Sequence, residues 1–398
     1  MKISARGRSV PPSPIRKLVP FAEKAKTEGV HVHHLNIGQP DVVTPAAFLE
    51  AVAKFPENVV AYGHSAGFIE LREAMAAYYR RVGYDVQAEH VTVTTGGSEA
   101  ILFALMSICD PGDEVVCFEP FYTNYNGFAV EAAVHLRPLR CDPDGGYHLP
   151  SREAIEQVLT DKTRAILVCS PNNPTGTVLS KQEMQTLVDI AKDRGLYLIS
   201  DEAYREFIYG DVAHTGVLDF PEIADRAVLM DSLSKRYSLC GGRVGCLVTH
   251  NEELSRTFLH LGQARLCPPS LEQYGAIPLM TLGDEYFAEV QQEYQRRRDT
   301  VMRGLAQIPG VRALTPEGAF YVMARLGVKD SGDFAQWLLT DFRRDGETVM
   351  VAPGDGFYAT PSLGFDEIRI AYVLEVDQLE RAMKCLHEGL EAYRKLKR

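Results

Sequence analysis

With 398 residues, the chain is long enough for two packed domains rather than one small one. Hydrophobic residues at 45 % and charged ones at 24 % exclude global disorder. Lys and Arg number 42 against 53 Asp and Glu; the formal charge of −11 excludes binding of nucleic acid or anionic membrane through the overall field and leaves a local anion site open.

About thirty residues rich in Pro, Lys and Arg open the chain and read as an arm, with no apolar stretch of the kind a signal peptide needs. No apolar run reaches membrane-spanning length. Eight cysteines include no C-x-x-C pair, and a chain this long needs no disulfide framework, so a reducing, cytoplasmic setting is expected. In His31-Val32-His33-His34, strand alternation turns two side chains to one face. No carboxylate or cysteine cluster stands nearby in sequence, and no metal is expected.

From Val91 to Val248, short apolar runs alternate with helical patterns. The first run, Val91–Thr94, leads into Thr95-Gly96-Gly97-Ser98-Glu99-Ala100 and the apolar helix Ile101–Ile108. The start of such a helix binds phosphate through free backbone N–H groups, with Gly97 and Ser98 as donors; a tight N-capped turn is the plainer reading. The run Glu114–Phe118 ends in Glu119-Pro120-Phe121-Tyr122, which offers an aromatic for stacking on a flat ring; Phe121 reads as core. After Val134–Leu139 comes Ala165–Val168, followed by Ser170-Pro171-Asn172-Asn173-Pro174-Thr175-Gly176, a rigid turn in which Asn173 brings an amide donor. Ser180 and Glu183 form a capping box, Met184, Leu187, Val188 and Ala191 a helical stripe, and Gly195 a C-cap. Leu196–Ile199 ends in Ser200-Asp201-Glu202-Ala203-Tyr204, where Asp201 is either a helix N-cap or a carboxylate for a protonated ring nitrogen, and Tyr204 a donor to a phenolic oxygen. Ala227–Met230 leads to Ser232-Leu233-Ser234-Lys235, and Arg243 follows eight positions after the lysine in Cys240-Gly241-Gly242-Arg243. A lysine at a strand end forms a Schiff base when it is desolvated beside other cations, and an arginine after a glycine pair suits phosphate; each read alone is a loop residue. Gly245–Val248 is the seventh run. The alternation predicts an α/β fold, a mostly parallel seven-stranded sheet covered by helices.

A helical pattern then runs from about Glu285 to Leu305, and its Arg296, Arg297 and Arg298 read as a solvated face. Strand-like runs follow at Ala319–Ala324, Thr348–Val351 and Glu367–Val373, with a final amphipathic helix through Leu379, Met383, Leu386, Leu390 and Tyr393. This part, with the arm, forms a smaller α+β domain. The expected division is 1–45 for the arm, 46–290 for the large domain and 291–398 for the small one.

The order and spacing of these motifs resemble the class I/II aminotransferases, pyridoxal-phosphate enzymes of fold type I, and the resemblance extends from Asn36 to Tyr372. It implies pyridoxal 5′-phosphate on Lys235, which also shuttles a proton. Asp201 would pair with the pyridine nitrogen, Asn173 and Tyr204 with the phenolic oxygen, and Tyr122 would stack on the ring. Gly97, Ser98, Ser232 and Arg243 would hold phosphate. Arg369 would grip the substrate carboxylate, with Tyr122 and Asn173 also at the substrate, and Gly38 would belong to a loop closing over it. Tyr62 would reach the phosphate of a partner subunit, which implies a homodimer with shared sites. The implied reaction moves an amino group from an L-amino acid, aspartate or another common one, to a 2-oxo acid; a lyase or synthase of the same fold is the alternative. One departure stands out. Classical aspartate aminotransferases of the animal and enteric type carry an arginine for the distal carboxylate a few residues after a Pro-Pro pair, whereas Pro268-Pro269 here is followed by Ser270-Leu271-Glu272-Gln273-Tyr274. Arg265, just before the pair, is the candidate substitute, and Glu99 has no assigned role.

Overall fold

The computed structural model describes residues 2–396. Twelve strands lie in three sheets among these residues. They are β1 (His31–His34), β2 (Val91–Thr95), β3 (Glu114–Glu119), β4 (His135–Arg140), β5 (Thr163–Cys169), β6 (Tyr197–Asp201), β7 (Ala227–Ser232), β8 (Val244–Val248), β9 (Tyr321–Arg325), β10 (Glu347–Met350), β11 (Ala352–Pro353) and β12 (Glu367–Ala371). All seven runs between Val91 and Val248 become the strands of one sheet, in the order β2-β8-β7-β6-β5-β3-β4. β8 alone runs antiparallel to its neighbours. The central strands are apolar because helices cover both faces: every residue of β7 and β8 is buried. The Lys181–Arg194 helix starts at the Ser180–Glu183 capping box and stops at Gly195, whose φ of 65° is left-handed.

The smaller unit has its own core, in which Tyr294, Val301 and Leu305 of the Asp284–Ala306 helix meet Leu379, Leu386 and Leu390 of the Val376–Leu396 helix. Its antiparallel sheet has the order β11-β12-β9, and the arm joins it through parallel pairing of β1 with β10. Tyr204, Phe207 and Tyr209, just after β6, pack into this second core and tie the two sheets together. β9 begins at Tyr321 rather than at Ala319, because Ala319 sits at φ 54°, outside extended geometry.

The arginine run is not a wholly solvated face. Arg297 is buried, with its guanidinium on Asp41, Glu293 and the Val373 carbonyl. A buried arginine needs such a set of acceptors, and the acid that completes it lies 256 positions away. His31 and His33 do share a face, their rings 4.5 Å apart. The fold brings a carboxylate and a thiol to them: His33 Nε2 is 3.1 Å from Glu347, with Cys385 close by. Arg381 Nη1 donates to the other Glu347 oxygen at 2.9 Å, so the carboxylate is engaged by side chains of β1 and the last helix. No helix among the described residues is long and apolar enough to cross a membrane.

Candidate active site

Parallel strands present their C-terminal ends at one edge of a sheet, and there ligands bind. Here that edge carries the residues after β2, β3, β5, β6 and β7. Because β8 is antiparallel, its N-terminal end lies at the same edge, which brings in Arg243 from just before the strand. The residues line a cavity of about 340 Å³. Gly38, Gly97, Ser98, Tyr122, Asn173, Asp201, Tyr204, Ser232, Lys235, Arg243 and Arg369 all border it. Tyr62 does not; it stands 80 % exposed on the outer surface.

The amine of Lys235 donates to the Gly38 carbonyl at 2.8 Å and lies 3.6 Å from Cys240 Sγ. Burial holds it below the ordinary lysine range, Arg369 and Arg243 add repulsion, and Cys240 opposes the shift. Such an environment favours the unprotonated, nucleophilic form of the amine. Asp201 ends β6. It accepts from the Tyr125 hydroxyl at 2.8 Å and from the Ala203 N–H at 3.2 Å. Burial raises its carboxyl to about 6, against the pull of those two bonds. No helix starts there, so the N-cap reading of Asp201 does not describe it.

At the other end of the cavity the Gly96–Ile108 helix begins. A Cβ on Gly96 would fall 2.6 Å from Arg243 Nη2, and one on Gly245 would fall 2.9 Å from Gly97 N. The two glycines let β8 and the arginine close on the helix start. Arg243 forms no ion pair among the described residues; its one hydrogen bond goes to the Cys240 carbonyl at 3.2 Å. Ser232 caps the short Leu233–Arg236 helix through the Ser234 N–H. Glu99, without a role in sequence, accepts from Thr95 N–H at 2.8 Å and pairs with Arg265 at 3.1 Å. Arg265 spends its remaining donors on the Val93 and Ser65 carbonyls and does not border the cavity.

Arg369 is buried. It donates to Asn173 Oδ1 at 2.9 Å and to the Asn36 carbonyl at 2.6 Å, and its Nε has no partner among the described residues. An unmet guanidinium donor in a cavity wall suits a carboxylate. Tyr321 and Arg16 also line the cavity and belong to none of the motifs. In sequence Tyr321 falls only within the strand-like run Ala319–Ala324 and Arg16 only within the arm; a strand that opens on the cavity and an arm that folds across it put them there.

The residues fit pyridoxal 5′-phosphate. An unpaired arginine beside a helix start suits the phosphate, a buried carboxylate the ring nitrogen, hydroxyl and amide groups the phenolic oxygen, and a desolvated amine the aldehyde.

The sequence pattern described as aminotransferase class I and II matches residues 30–386. An aspartate aminotransferase from Pyrococcus horikoshii is 33 % identical over 391 residues, 95 % of each chain. Among solved structures, a single mutant of Thermus thermophilus aspartate aminotransferase superposes with a TM-score of 0.89 at 28 % identity, covering 98 % of this chain and all of that one. An alanine aminotransferase from Pyrococcus furiosus also gives 0.89, at 29 % identity and the same coverage.

Proposed function

The chain belongs to the aminotransferase class I and II family and is a pyridoxal-5′-phosphate-dependent aminotransferase; on that premise we propose that Lys235 carries the cofactor and that the preferred amino donor is dicarboxylic, as aspartate is. The observation that carries the role of Lys235 is its desolvated amine among cations at the centre of the cavity. The cofactor supplies the electron sink when bound. The protein's part is to hold it and to move a proton. Lys235 would carry the proton between the substrate Cα and the cofactor's C4′ carbon. Asp201 keeps the ring nitrogen charged. Asn173 and Tyr204 hold the phenolic oxygen, Tyr122 covers the ring, and Gly97, Ser98, Ser232 and Arg243 hold the phosphate. Gly38 lies on the loop that closes over substrate.

The dicarboxylic reading rests on the cavity's cations. Among the described residues four border it: Arg16, Lys235, Arg243 and Arg369. Three have the roles above. Arg16 remains, its guanidinium without a hydrogen bond or ion pair among the described residues, and Arg265 is held away by Glu99. A free guanidinium at the cavity wall suits a second carboxylate. Arg16→Gln should lower kcat/KM for aspartate and glutamate roughly 10- to 100-fold, the worth of a hydrogen bond to a charged group, and leave alanine within about twofold. A panel of amino donors with 2-oxoglutarate and oxaloacetate reads this directly. An equal fall for all donors removes Arg16 from specificity, and release of ammonia without an acceptor identifies a lyase instead.

The α-carboxylate is assigned to Arg369. Arg369→Lys should raise KM for every amino donor roughly 10- to 100-fold, since an ammonium cannot make the planar two-point grip. A level KM would make the residue structural.

We also place the enzyme in the cytoplasm as a homodimer with an arm of 1–45, a large domain of 46–290 and a small one of 291–398. The eight free cysteines support the first reading, and the second hydrophobic core supports the division. Tyr62, exposed beside Val59 and Val60, supports a dimer in which its hydroxyl serves the partner's phosphate.

A further inference from the structure

Tyr321 is 2 % exposed at the start of β9, and three residues of the site converge on it. Its hydroxyl lies 2.8 Å from that of Tyr204. The Arg369 guanidinium lies over its ring, 4.4 Å from the centroid. β12 and β9 set that stack: Arg369 pairs with Met323, so Tyr321 is its diagonal neighbour on the same face. The Gly38 backbone rests against the phenol, where a Cβ would fall 1.7 Å from the Tyr321 hydroxyl oxygen. Only glycine fits there, and its carbonyl is the acceptor for Lys235.

We propose that Tyr321 is a positioning residue for transamination, its hydroxyl directing Tyr204 and its ring face fixing Arg369, so that one side chain aligns the cofactor end and the carboxylate end of the site through two separable parts. This rests on the roles assigned above to Tyr204 and Arg369.

The hydroxyl half follows from partner counting. Tyr321 Oη has no hydrogen-bond partner but Tyr204 among the described residues. When Tyr204 turns its proton to the cavity, its oxygen must accept, and Tyr321 is the donor in place. Burial pushes the Tyr321 hydroxyl up to about 12, so it keeps its proton at working pH. Two hydroxyls in line make the outer one a stronger donor. A phenylalanine would fill the core and stack equally well, so packing alone gives no reason for the oxygen.

The ring half follows from the guanidinium. Its Nη atoms are held by Asn173 and Asn36, and the ring beneath holds its plane, which leaves Nε presented as a donor.

Three variants test this. Tyr321→Phe should weaken cofactor binding about fivefold by equilibrium dialysis, the worth of one neutral hydrogen bond, and lower kcat while KM stays within about twofold. Tyr321→Leu should show both effects and also raise KM and the dissociation constant of succinate about fivefold or more through loss of the cation–π contact. Tyr204→Phe is the reference. If it weakens cofactor binding and Tyr321→Phe does not, the hydroxyl half is overturned while the site reading stands. If Tyr204→Phe leaves affinity unchanged, the role of Tyr204 falls and takes the hydroxyl half with it. Equal KM values for the Phe and Leu variants overturn the ring half. Should the leucine variant fail to fold, Tyr321→Met removes the ring with less change of volume, and the same comparison applies.

Discussion

Lys235→Ala should lose more than about 10⁴-fold in turnover, beyond the upper end of what one proton-transferring side chain contributes, because two roles vanish together. The amine is the only one bordering the cavity among the described residues. No described neighbour can replace it in a Schiff base, since the other lining cations are Arg16, Arg243 and Arg369, and a guanidinium does not deprotonate in this range. The fold should survive. Among the described residues the Lys235 amine makes only two hydrogen bonds, to Gly38 and Cys240, and removing a desolvated amine leaves no buried charge without a partner. Cofactor should still bind, more weakly, through the groups around Arg243 and Asp201. Borohydride reduction followed by intact-mass measurement separates the covalent role from the rest. The parent should gain the mass of one cofactor per chain and the variant none. A mass gain in the variant, or turnover near the parent's, would reject Lys235.

Much of the site was legible because it lies at strand ends. A strand buried on both faces is a continuous apolar run, so its end is visible, and the polar residues just beyond it stand out. Asp201, Lys235 and Asn173 were found this way, and each borders the cavity. What the sequence hides are partners far along the chain. Glu99 had no role until the fold set Arg265 beside it, 166 positions away. Arg297 reads as surface on its helix until Asp41 arrives to pair with it. Tyr321 sits in a strand-like run with no motif of its own; only the register of β9 on β12 shows that it shares a face with Arg369. Arg16 lies in an arm without periodicity, and no local pattern brings an arm over a cavity. The dimer reading remains tied to Tyr62, which one chain shows only as an exposed tyrosine.

Asp201→Asn should move stability and chemistry in opposite directions. In the folded, cofactor-free protein burial raises the Asp201 carboxyl from 3.8 to about 6. The unfolded chain releases that proton near the lower value. Between the two the folded state holds a proton that the unfolded state has lost, so this group's contribution to stability falls as pH rises from about 4 to about 6 and stays low above. The separation corresponds to roughly 3 kcal/mol. Asparagine carries no charge to bury. It can accept from the Ala203 N–H and donate to the Tyr125 oxygen, the two groups that hold Asp201 now. The cofactor-free variant should therefore melt a few degrees above the parent at pH 7 and above, with the gap closing toward pH 4. The chemistry goes the other way. A carboxylate stabilises a protonated ring nitrogen by direct charge, and in an enclosed site that attraction is strong; a neutral amide leaves the nitrogen unprotonated. Single-turnover transamination should slow roughly 100-fold or more, the scale of losing one preorganised electrostatic group. Melting curves of both cofactor-free proteins from pH 4 to 8, with stopped-flow traces of the loaded ones, measure the two effects. An unchanged single-turnover rate would remove Asp201 from the ring nitrogen. A melting gap that does not depend on pH would show that the carboxylate is not held protonated up to about 6, and that its burial does not oppose folding at neutral pH.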